Sequence, residues 1–77
     1  MIEYLVIIEP ADDGTGFGAF VPDLPGCVAT GRTRDEARER IAFSIPLHIQ
    51  SLRSHGEPVP PPRAEVERIT VEPHAAA

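Results

Sequence analysis

The stretch Val21-Pro22-Asp23-Leu24-Pro25-Gly26-Cys27-Val28-Ala29-Thr30-Gly31, followed by Arg32-Thr33-Arg34-Asp35-Glu36, decides the fold. A β ladder cannot run through two prolines so close together, because proline has no N–H to give it. In Leu24-Pro25-Gly26-Cys27, Pro25 presets φ at the first central position, and Gly26 accepts the positive φ that a type II turn needs at the second. A short strand from Cys27 to about Thr30 is then expected. Thr33-Arg34-Asp35-Glu36 has the form of a capping box, in which the Thr33 hydroxyl accepts from the third helical amide and Glu36 reaches back to the amide of Thr33. Asp35 and Glu36 also suit the positive end of a helix dipole.

Upstream, Ile2 to Glu9 is rich in β-branched and aromatic residues and reads as a strand. Ile2, Tyr4, Val6 and Ile8 lie on one face and Leu5 and Ile7 on the other, so burial on both faces is expected. Asp12-Asp13-Gly14-Thr15-Gly16 supplies hairpin-loop chemistry after Pro10, and a second strand starts at Phe17. Downstream of the cap, Ala37, Ile41, Ala42, Ile45, His48, Ile49 and Leu52 recur at helical spacing, with Gly56 as the stop. Pro46 falls inside that pattern, removes the bond to the Ala42 carbonyl, and predicts a kinked or split helix. Glu57-Pro58-Val59-Pro60-Pro61-Pro62 reads as an extended connector. Ala64 to Glu72, with Val66, Ile69 and Val71, predicts a fourth strand at an edge or with a bulge. The expected domain is residues 1–72, and Pro73 to Ala77 is a frayed tail. The fold class is α+β in the order β-β-β-α-β, a three- to four-stranded, mainly antiparallel sheet covered on one face by one long helix.

A chain of 77 residues has room for a single core, and at this size only about 60 % of the unfolded surface is buried. Such domains commonly need an added constraint. Cys27 is the only cysteine, which rules out an internal disulfide and leaves self-association as the expected staple. No secretory or membrane-spanning apolar run is present, so the expected location is cytoplasmic. The net charge is −5, and all seven cations are scattered arginines. Nucleic-acid binding draws on clustered cations, so a small RNA-binding module is disfavoured and a basic protein partner fits better.

The residues Glu9, Gly16, Phe17, Val21-Pro22-Asp23-Leu24-Pro25-Gly26-Cys27, Gly31, Thr33, Glu36-Ala37, Gly56 and Pro60 together resemble the HicB-like antitoxin family over nearly the whole chain. The resemblance implies a partial ribonuclease-H-like sheet and helix. It also implies a function, the neutralisation of a small basic HicA-like toxin, an mRNA-cleaving ribonuclease, by protein–protein binding. Longer members carry a C-terminal helix-turn-helix or ribbon-helix-helix module. None is legible after residue 72, so direct DNA binding is not expected. An orphan homo-oligomeric domain without a toxin is the alternative reading.

Residue by residue, the chemistry expected of an enzyme is missing. Asp12, Asp13 and Asp23 sit in turns, where aspartate is favoured for backbone reasons, rather than converging from strands as a two-metal site requires. His48, His55 and His74 show no ligand spacing, and Cys27, Ser44 and Ser51 have no nominated base. No catalytic residue, metal, cofactor or small-molecule substrate is expected. Phe43 and Leu47, at i and i+4, fall roughly opposite the main stripe of a straight helix. They are the candidate contact for a toxin or for a second copy in a dimer or tetramer. If a kink at Pro46 turned Leu47 inward, Phe43 would merely cover a loop.

Overall fold

The computed structural model describes residues 1–74. Its elements are β1 (Ile7–Pro10), β2 (Phe17–Phe20), β3 (Val28–Gly31) and α1 (Arg34–Ser54). The three strands form one antiparallel sheet in the order β1-β2-β3. The first hairpin closes with the Ala11 amide donating to the Gly16 carbonyl at 2.8 Å. Gly14 takes φ +74° in that loop, and Asp13 accepts from the Thr15 amide at 3.0 Å, so Gly and Asp have the turn roles expected of them. Pro10 is tolerated in β1 because the ladder pairs 7 with 20 and 9 with 18 across close bonds, which turns its missing N–H toward the free edge.

Between β2 and β3, the Cys27 amide donates to the Leu24 carbonyl at 3.0 Å with Gly26 at φ +85°, the type II turn predicted. A preceding turn, the Leu24 amide to the Val21 carbonyl at 3.0 Å, and a bond from the Val21 amide to the Cys27 carbonyl at 3.2 Å fold the loop onto itself. The consequence is burial. Val21, Leu24 and Cys27 from this loop join Ala19, Ala37 and Ile41 as the buried core, and Tyr4, Val6, Ile8, Phe17, Ile45, Ile49 and Leu52 pack around them.

The helix starts where the cap predicts, but with one difference. Thr33 Oγ1 accepts from the Glu36 amide at 3.0 Å, whereas Glu36 Oε1 accepts from the amide of Arg32, one residue before the cap, at 2.8 Å. Pro46 neither splits the helix nor changes its buried face. Both Pro46 and Ala42 are exposed, so the missing N–H falls on the solvent side of the helix. Ile45, His48, Ile49 and Leu52 therefore continue the inward stripe, while Ala42, expected on it, lies outside.

At the two ends the expected strands fall short. Ile2 to Val6 has no partner strand, because β2 leaves the ladder at Phe20 for the Val21–Cys27 loop; Ile2 is exposed while Tyr4 and Val6 still pack on the core. The fourth strand, Ala64 to Glu72, pairs with nothing among the described residues. Residues 57–74 instead run as an extended arm, held by the Tyr4 hydroxyl donating to the Pro60 carbonyl at 2.6 Å and by Asp23 Oδ2 accepting from the Arg63 and Ala64 amides, both at 2.9 Å. Pro73 and His74 are exposed and without regular structure, and the rest of the expected tail lies outside the described residues.

Candidate partner-binding surface

Side-chain alternation divides the sheet into two faces. The row Ile8–Ala19–Ala29 meets the helix, and the rows Ile7–Phe20–Val28 and Glu9–Gly18–Thr30 form the opposite face, which no element among the described residues covers. That face is apolar along one row and polar along the next. It forms an open concavity of about 930 Å3 whose lining includes Glu9, Gly18, Phe20, Val28 and Thr30.

At the β3 edge the open face meets the helix. A groove of about 430 Å3 runs between β3 and α1, lined by Val28, Ala29 and Thr30 from the strand and by Glu39, Arg40, Phe43 and Ser44 from the helix. Phe43 is 71 % exposed and Val28 64 %, and one turn beyond Phe43 lies Leu47 at 51 %. Sequence spacing placed Phe43 and Leu47 off the buried stripe, and the structure leaves both in solvent; Leu47 is not turned inward. Val28 joins them although sequence reasoning passed over it. Its signal was available in the two-residue alternation that sets it beside Phe20.

The polar groups around this surface serve the backbone. Arg40 Nη1 donates to the Thr30 carbonyl at 3.1 Å, occupying an acceptor on the free edge of β3, and Arg40 also pairs with Glu36 at 3.5 Å. The amide of Arg32, and after it the Arg40 charge, hold the Glu36 carboxyl below its ordinary range. Asp23 is likewise held low, by the Ala64 and Arg63 amides, and so has a role beyond its own turn. Asp13 is held low by the Thr15 hydroxyl and amide. His48 lies over the type II turn, where a Cβ added to Gly26 would stand 3.8 Å from its Cε1, and His55 Nδ1 contacts the Ser51 carbonyl at 2.7 Å. Cys27 is buried, and desolvation pushes its thiol pKa up, the reverse of what a nucleophile needs. Among the described residues, no three His, Cys, Asp or Glu side chains come together in a way that could hold a metal ion. No helix among them is long and apolar enough to cross a membrane.

A three-stranded antiparallel sheet under one capped helix, with apolar side chains left in solvent on the far sheet face and beside the β3 edge, defines a small α+β domain. The chain belongs to the HicB-like antitoxin family of bacterial toxin–antitoxin systems, whose family model matches residues 4–76. It is 41 % identical over 70 residues to a UPF0150 protein of Thermoplasma acidophilum, covering 91 % of this chain and 97 % of that one. Two UPF0150 proteins of Synechocystis are 44 % identical over 57 residues, covering 74 % and 71 % of the two chains, and 32 % identical over 68 residues, covering 88 % and 92 %.

Proposed function

We propose that this protein neutralises a small, basic, HicA-like mRNA-cleaving toxin by binding it, in the cytoplasm, as a dimer or a pair of dimers and without chemistry of its own. The observation that carries this reading is the exposed apolar surface of Val28, Phe43 and Leu47 in a member of an antitoxin family. Three large apolar side chains in solvent around one strand edge suit burial against another protein. The net charge of −5 favours encounter with a basic toxin. Direct DNA binding finds no support in the scattered arginines.

The test is co-expression with the product of a neighbouring short reading frame that encodes a basic protein. The wild-type chain restores growth and co-purifies with that product, whereas the double variant Phe43→Glu, Leu47→Glu loses both while remaining folded by circular dichroism. A folded double variant that still rescues and co-purifies would remove these two residues from the contact. Failure of the wild-type chain to rescue or to bind would remove the antitoxin reading with this partner.

A further inference from the structure

The arm from Glu57 to His74 stands apart from the rest of the molecule. A compact chain of this length has a radius of gyration of about 11.5 Å, yet the Cα radius of gyration is 15.6 Å and the long axis is 54 Å against 28 and 21 Å for the others. Pro58 and Pro60 to Pro62 stiffen the departure from the helix, and the bonds to Tyr4 and Asp23 clamp residues 60, 63 and 64. Beyond Ala64, no described residue makes a side-chain or tertiary backbone hydrogen bond to the body. That free portion nevertheless reads as a strand. Val66, Ile69, Thr70 and Val71 are β-formers; Ile69 and Val71 share one face, and Ile69 is 78 % exposed. A merely solvated tail has no need of such residues.

The sheet has an edge to match. Along β3, Arg40 already occupies the Thr30 carbonyl. Along β1, the same alternation that turns Pro10 outward turns the backbone groups of Ile8 and Val6 outward too, and no backbone partner in the chain meets them among the described residues. The chain before β1 is apolar as well.

We propose that residues 64–72 are a donated strand, which leaves its own domain at Asp23 and pairs along the free edge of β1, from about Ile2 to Ile8, in a second copy of this chain. Reciprocal donation closes a two-fold dimer, buries Val66, Ile69 and Val71, and supplies the fourth strand that the single chain lacks. Nine extended residues reach about 30 Å, enough to cross to a neighbouring sheet edge. The Phe43–Leu47 surface lies beside the other edge and stays free for a toxin. This assignment rests on the self-association part of the function proposed above.

The experiment compares the full chain with the variant Val66→Asp, Ile69→Asp, Val71→Asp by light scattering across a dilution series, together with amide hydrogen exchange of the wild type. The expected result is a wild-type mass of at least two chains and a variant mass of one. In the wild type, the amides of Val66 to Val71 and of Val6 and Ile8 should be protected at high concentration and lose that protection together on dilution. A folded variant that keeps the wild-type mass overturns strand donation and leaves self-association standing. A wild type with the mass of one chain at all concentrations overturns both. Should the variant fail to fold, exchange in the wild type decides alone: fast exchange from Val66 to Val71 at all concentrations, or protection that survives dilution to one chain, overturns the donated strand.

Discussion

Between Val21 and Ile41, two successive turns, a capped helix start and a close approach of strand to helix occupy the same few residues, and Val21, Leu24, Cys27, Ala37 and Ile41 are all buried. Between Glu57 and His74 the backbone is extended, its large apolar residues from Val66 onward are in solvent, and two side chains, Tyr4 and Asp23, supply its hydrogen bonds to the sheet. Each region is held by side chains that satisfy backbone groups. The difference is what stands behind those bonds. Behind Thr33 and Glu36 there is a core, so a local change there is felt by the whole fold; behind Asp23 there is only the arm.

The sharpest way to break the first region is Gly31→Ala. A Cβ at that position would lie 2.5 Å from the Ala37 amide nitrogen and 2.9 Å from the Glu36 carbonyl carbon, both backbone atoms that cannot swing aside. The strand and the first helical turn would have to separate, and overpacking of this kind costs about 3 kcal/mol. Urea unfolding should show that loss as a lower midpoint with an unchanged slope. A loss below about 0.5 kcal/mol, the range of an ordinary surface change, would mean that the strand–helix contact is softer than it looks.

A smaller effect is expected one step along the chain. Thr33→Ala removes the oxygen that accepts from the Glu36 amide, while Glu36 keeps its own bond to Arg32. The expected cost is about 1 kcal/mol, and Thr33→Ser should recover most of it in the same unfolding measurement. An alanine variant as stable as the wild type would show that the Glu36–Arg32 bond alone fixes the helix start.

The same contrast explains which parts of the structure were legible beforehand. The turn at Pro25 and Gly26, the cap at Thr33 and the hairpin at Gly14 rest on backbone chemistry confined to four or five residues, which a sequence displays directly. The class of Phe43 and Leu47 was legible too, since helical phase alone puts them off the core stripe. What failed was non-local. Nothing near Asp23 announces that its carboxylate meets residues 40 and 41 positions later, and its turn setting supplied a sufficient local reason for an aspartate. Ala64 to Glu72 has the composition of a strand, but composition does not say whether an edge within reach in the same chain will accept it. Pro46 shows the reverse case: the helix runs on through it, with Ala42 and Pro46 both on the exposed side.

The weakest effect on overall stability, and the most local, is expected at Asp23. Its carboxyl is held below the ordinary value by the Ala64 and Arg63 amides, and the carboxylate is the form they favour. A carboxyl whose folded pKa lies below its unfolded value contributes its stabilisation fully above the unfolded value, about 3.9 for aspartate, and loses it as pH falls through the folded pKa. Acid should therefore release the arm at residues 63 and 64. Glu36 is depressed by similar bonds, but the helix start it serves is also tied by Thr33 and packed against Gly31, so its protonation should leave α1 in place. Amide proton shifts report the two events separately. The Arg63 and Ala64 amides should titrate together with a midpoint below 3.9, while the Ala37 to Ile41 signals hold their folded positions. In Asp23→Ala that shared titration should vanish and the Arg63 and Ala64 amides should be released at neutral pH. Should the Arg63 and Ala64 amides titrate separately, or the helix signals collapse at the same pH, residues 63 and 64 would prove to be bound into the core's cooperative unit rather than held at its surface by the Asp23 carboxylate.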